Sequence, residues 1–206
     1  MRVVVITPPD PVVAIDDAKA HLRVDDDGDD TLITAMVAAA TGYIDGPDGW
    51  LGRALGPQQL EARFDAFGYA DHRDREWYPL LLPCPPIVSI VSVEYVDQSG
   101  VAQTADPATY EMIGAEVSPV YGAQWPQTRW QREAVRIRYQ AGYVVDPTAD
   151  PLVAALPAPI RAAILLMVGD LYSNRETTLD GRATNVASVP MSTTVENLLA
   201  PYRIWR

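Results

Sequence analysis

Leu60-Glu61-Ala62-Arg63-Phe64-Asp65-Ala66-Phe67, residues 60–67, decides the fold, because the hydrophobic period changes there. Leu60, Ala62, Phe64 and Ala66 alternate with Glu61, Arg63 and Asp65, the two-residue repeat of a half-buried strand. Val135-Arg136-Ile137-Arg138-Tyr139-Gln140 repeats the alternation. Ile87–Val96 is rich in β-branched residues and runs into Asp97-Gln98-Ser99-Gly100, a hairpin turn signal. Leu80–Leu82 and Tyr110–Ile113 are weaker strand candidates. Residues 58–143 are therefore expected to form an antiparallel β-rich insert.

On both sides of it the period is that of a helix. Ala14, Ala18 and Leu22 are spaced by four, with Asp16 and Asp17 in a first turn, where the helix dipole favours anions. Leu32, Ile33, Met36, Val37, Ala40, Tyr43 and Ile44 fall on one face of a second helix, which Gly46-Pro47-Asp48-Gly49 ends. Residues 1–57 thus read as a helical hairpin. Beyond the Pro- and Asp-rich stretch 146–159, Pro159 suits the first turn of a helix running to Arg175. Ile160, Ala163, Ile164, Met167, Val168 and Leu171 form its core stripe, while Leu165, Leu166 and Tyr172 lie on other flanks. A helix apolar on more than one side needs a second cover, either the insert or a neighbouring subunit. Thr177–Thr194 shows no period, and Val195–Ile204 is a short amphipathic helix interrupted near Pro201. Residues 144–206 supply the remaining helices and a terminal arm. The fold class is α+β: a small helical bundle, made of a hairpin plus a long helix, with an inserted antiparallel β segment.

Composition narrows the function. The 206-residue chain carries a formal charge of −11, and Lys19 is the one lysine beside 15 arginines. Residues 1–50 hold ten acids against three bases, 51–150 thirteen against eight, and 151–206 four against five. Gripping nucleic acid through its phosphates needs clustered positive charge, and so does docking on anionic membranes. Both are disfavoured. Cys84 stands alone, which excludes an intrachain disulfide, and Val3–Ile6 is too short for a signal peptide. A soluble protein of a reducing compartment is expected.

Motifs of catalysis are not evident. Counting from Asp25, a calcium loop of the EF-hand type requires Gly sixth and Glu twelfth, but Asp30 and Met36 stand there. Asp25, Asp26, Asp27, Asp29 and Asp30 therefore read as a solvated turn between helices. His72 lies in a polar loop and His21 on a helix surface, while Cys84, between two prolines, has no basic neighbour to activate it. No nucleophile elbow, phosphate loop or zinc-protease motif appears. An enzyme is not expected, nor a cofactor or metal. Trp77, Trp125 and Trp130 suggest a sugar-binding surface on the insert, but packing against the sheet is the simpler role.

Several strings, in order, resemble a known family. They are Ile6-Thr7-Pro8-Pro9, Ala18-Lys19-Ala20-His21-Leu22-Arg23-Val24, Asp29-Asp30-Thr31-Leu32-Ile33 and Gly52-Arg53-Ala54-Leu55. Val93-Glu94-Tyr95-Val96-Asp97, Trp125-Pro126, Val135–Tyr143, Leu171–Glu176 and Leu198–Arg203 follow. The sequence resembles the head–tail connector (adaptor) proteins of long-tailed phages and gene transfer agents. The resemblance implies a virion structural protein of the neck, made in the bacterial cytoplasm. It implies a ring, typically of twelve copies, that sits under the portal protein and extends the DNA channel. The ring would meet a further connector, a stopper or the tail, and DNA would pass without specific binding. Val195, Leu198, Leu199, Tyr202, Arg203, Trp205 and Arg206 are then expected to form a portal-docking arm. Leu165, Leu166 and Tyr172 would meet a ring neighbour, and the acidic turn Asp25–Asp30 would face channel or solvent. The rival readings are a module on the β insert that binds a sugar or protein surface, and a tail-completion protein.

Overall fold

A computed structural model describes residues 1–68, 79–174 and 191–205. His72, Trp77, Arg206 and most of the aperiodic stretch 177–194 lie outside the described residues. The fold is α+β and divides by its internal contacts into two units, Met1–Asp10 with Gly56–Ala154, and Pro11–Leu55 with Ala155–Arg206.

The first unit is built on a five-stranded antiparallel sheet of order β1-β2-β8-β4-β5. Its strands are β1 (Arg2–Thr7), β2 (Gln58–Phe64), β4 (Ile87–Val96), β5 (Ala102–Thr104) and β8 (Val135–Ala141). A smaller sheet of order β3-β7-β6 joins β3 (Leu80–Leu81), β6 (Tyr110–Ile113) and β7 (Glu116–Pro119). The period-two pattern sets the register: Leu60 faces Tyr139 and Ala62 faces Ile137 across β2 and β8, and all four are fully buried. Tyr139 keeps its phenol satisfied by donating to the Pro83 carbonyl at 2.8 Å. At the end of β8, Gly142 has φ +126°, and a Cβ there would stand 2.2 Å from the Gly56 carbonyl oxygen, so only glycine fits.

The second unit is helical, with α1 (Ile15–Leu22), α2 (Asp30–Ile44), α3 (Ala158–Ser173) and α4 (Thr193–Leu199). α1 ends on Arg23 in the left-handed region, φ 58°, and Val24 N–H reaches back to the Lys19 carbonyl at 3.0 Å. That is a Schellman closure with arginine where glycine is usual. On α3 the expected stripe Ile160, Ala163, Ile164, Met167 and Val168 is buried, and Leu171 is half-buried. On α2 the buried stripe is narrower than the sequence suggests. Ile33, Val37, Ala40 and Ile44 are buried, but Leu32 remains 37% exposed and Tyr43 44% exposed. α3 packs on α1, α2 and α4, so the helical core is shared among all four.

Candidate functional site

The acidic turn joins α1 to α2 with Asp25, Asp26 and Asp27 exposed, and it is anchored. Lys19 Nζ, on α1, stands 2.6 Å from Asp27 Oδ1 and 2.8 Å from Asp30 Oδ1, so the lone lysine staples the turn to the helix before it. Asp27, through its hydrogen bond to Lys19, sits below the usual carboxylate range. Lys19 is held protonated above the ordinary lysine value by Asp27 first and Asp30 second. Asp26 Oδ1 accepts from Gly28 N–H at 2.9 Å, an Asx turn, while Asp25 and Asp26 stay exposed. Asp29 accepts the Tyr172 hydroxyl at 2.5 Å. Tyr172, expected to face a ring neighbour, therefore spends its polar end within its own helical unit. Leu165 and Leu166 are half-buried beside it on α3.

The expected docking arm separates into two parts. Val195 and Leu199 are fully buried, and α4 packs on α3, so these two serve the helical core instead of a partner. Their helix is capped by Ser192, whose Oγ accepts from Val195 N–H. Leu198, Tyr202 and Arg203 are half-buried. Ile204 N–H donates to the Leu51 carbonyl at 3.0 Å, and Arg53 Nε donates to the Tyr202 carbonyl, latching the terminus onto the segment that follows α2. The Arg203 guanidinium lies 4.2 Å from the Trp50 ring centre and 4.1 Å from that of Trp205. This cation–aromatic sandwich leaves Trp205 77% exposed. Trp50 is a site residue that the sequence did not mark; the signal would have been its position next to the helix-ending Gly49.

A second polar constellation lies on the sheet. Glu61, only 4% exposed, accepts from Arg63 Nε and from Arg138 Nη2, each at 2.8 Å. Burial pushes its carboxyl up, but the hydrogen bonds from Arg138 and Arg63 outweigh that and hold it below the usual range. Arg63 also reaches Glu133 at 2.9 Å, and Arg2 reaches Glu133 at 3.3 Å. The chain Arg2–Glu133–Arg63–Glu61–Arg138 ties β1, β2 and β8 together. The aromatics behave differently. Trp125 is half-buried and stacked on Phe67, with ring centres 4.4 Å apart at 8°, whereas Trp130 is exposed. Of these two tryptophans, Trp125 has the packing role and Trp130 does not.

The comparisons agree with the family resemblance of the strings. A family model described as phage gp6-like head–tail connector protein matches residues 13–66, which carry α1, α2 and β2. Among solved structures, the chain is similar to one from the neck of an empty GTA particle computed with C6 symmetry, at TM-score 0.71 and 20% identity, covering 100% of this chain and 97% of that one. It is equally similar, at TM-score 0.71 and 20% identity with the same coverage, to a chain in the virion of a native gene transfer agent (GTA) particle. A chain from the neck of the native particle, computed with C12 symmetry, gives TM-score 0.65 at 20% identity. No protein of curated function matches. At this identity the structural likenesses show a shared fold.

Proposed function

We propose that this chain is a head–tail connector, a structural protein of the virion neck that joins the head to the tail and catalyses no reaction. The observation that carries the reading is a coincidence of two independent matches. The connector family model falls on the helical hairpin, and the whole chain shares its fold with neck chains over nearly their full length. The β-rich unit takes its edge strand β1 from ahead of the helices and is thus more than an insert of residues 58–143; copies of the chain form a ring, taken as twelve, beneath the portal protein. The ring extends the DNA channel and presents a platform to a further connector, a stopper or the tail. DNA is passed and not gripped, consistent with a formal charge of −11, since an acidic wall repels phosphate.

Portal docking falls to the exposed part of the C-terminal segment. Trp205, with Arg203 and Trp50 behind it, is a rigid aromatic anchor of the kind that dominates interface energies. For the ring contact, the uncovered α2 flank of Leu32 and Tyr43 joins Leu165 and Leu166 as apolar surface available to a neighbour. Pull-down on the immobilised cognate portal tests the reading. The wild-type chain is expected to be retained, and Trp205→Ala to bind roughly tenfold or more weakly, as loss of a hot-spot aromatic does, with an unchanged circular dichroism spectrum. Equal retention of both would remove Trp205 from the contact, and retention of neither would sink the connector reading.

A further inference from the structure

Three arginines stand in one row across the sheet, and neighbouring carboxylates pair with two of them, Arg2 and Arg63, but not with Arg136. Arg2 on β1 stands opposite Arg63 on β2, and Arg63 opposite Arg136 on β8. Like charges directly across strands are destabilising unless an anion lies between or above them. Arg2, Arg63, Arg132 and Arg136 line an open groove of about 540 Å³ with Met1, Asp65 and Glu133. Glu133 is shared by Arg2 and Arg63, and Asp65 Oδ1 accepts the Glu133 backbone N–H at 3.0 Å. Among the described residues, Arg132 and Arg136 form no ion pair, and both are exposed. Glu94, the register partner of Arg136 on β4, makes none with it either. In a chain of net charge −11, this groove is a local island of cation.

The opposite imbalance sits in the helical unit. The turn after α1 presents five aspartates against Lys19 and the exposed Arg23, and Lys19 is already shared by Asp27 and Asp30. Asp25 and Asp26 are exposed and form no ion pair among the described residues. Guanidinium groups recognise carboxylates through paired, charge-assisted hydrogen bonds. We propose that the Arg132–Arg136 groove of one copy receives the Asp25–Asp26 turn of a second copy, forming the electrostatic part of the contact between ring neighbours. The inference rests on the ring assembly proposed above. Groove and turn are different surfaces, so the contact is head-to-tail and repeats from copy to copy, as a ring of identical copies requires. With Arg2 and Arg63 already paired to Glu133, two arginines of the groove remain free among the described residues. That number matches the two carboxylates of a short acidic turn better than the long run of phosphates in a nucleic-acid backbone.

The test uses two charge-reversed chains assembled on portal rings, with copies per portal counted by native mass spectrometry. Arg132 and Arg136 are exposed and unpaired, so Arg132→Glu/Arg136→Glu is expected to fold normally; Asp25→Arg/Asp26→Arg reverses the turn. Each variant alone is expected to occupy portals at least about tenfold less than wild type, in line with the loss of close interfacial charge pairs. Mixed in equal amounts they are expected to recover wild-type occupancy, because in an alternating ring every groove again meets a turn of opposite sign. That recovery also shows that both chains are folded. Wild-type occupancy by either variant alone, or no recovery on mixing, would overturn the contact between copies. Wild-type occupancy that appears only when duplex DNA is added would point to nucleic acid in the groove and overturn it as well. If the wild-type chain itself fails to assemble on portals, the connector reading fails and this inference falls with it.

Discussion

Glu61 shows at the scale of one residue how the sheet tolerates charge. Its carboxylate is nearly out of solvent, yet Arg63 and Arg138 each satisfy one of its oxygens. Removing one member of such a group leaves partners desolvated and unpaired, which costs more than the net worth of the bond. Glu61→Gln is expected to destabilise the chain by about 1–3 kcal/mol in urea titrations at pH 7. The pH dependence follows from the direction of the shift. A carboxyl held below its unfolded value contributes stability in full above that value and loses it as pH falls through the folded one. The thermal midpoint of the wild type should therefore drop below about pH 4, and the drop should be shallower in Glu61→Gln. Identical acid profiles for the two would contradict the role given to Glu61. Glu133, lowered by Arg63 first, Asp27, lowered by Lys19, Asp97, lowered by Gln103 first, and Asp146, lowered by Thr148, supply the part of the acid slope that the variant keeps.

At the scale of elements, α4 is where expectation and packing parted. Its apolar face was read as a docking arm because the preceding stretch shows no period, but Val195 and Leu199 are fully buried and the helix closes the helical core against α3. Leu199→Ala is expected to cost about 2–4 kcal/mol, the usual range for a buried leucine, and Leu198→Ala, half-buried, less than about 1.5 kcal/mol. Denaturant unfolding of the two variants compares them; equal losses would mean that α4 is not part of the core. The same contrast explains what was legible. Elements with a strong period were readable: the α3 stripe, the Ile87–Val96 strand and the alternation in β2 and β8 all fall where their residues predict. β1, β5 and β7 were not. β1 is a short run, Val3–Ile6, cut off by Pro8 and Pro9, and β7 offers one β-branched residue and ends on a proline. Such strands exist through pairing with β2 and β6, which no local pattern announces. The site was less legible than the fold, because the Tyr172–Asp29 bond and the stacking of Arg203 on Trp50 join residues far apart in sequence, and the Lys19 staple crosses a turn whose path no periodicity sets.

For the whole molecule, uneven charge and uncovered apolar surface point to a protein completed by assembly. The acids of residues 1–50 gather at a stapled turn, cations gather in one groove of the sheet, and aromatic surface remains at the C-terminal segment. In the proposed ring, each feature would gain a use: binding a portal, binding a neighbouring copy or letting DNA through. Cryo-electron microscopy of the cognate portal incubated with this chain is the most direct test. The account predicts a closed ring of copies beneath the portal, coaxial with its channel and with Trp205 at the portal contact. Portals that remain bare at saturating chain concentration, or chains bound singly away from the channel axis, would contradict it.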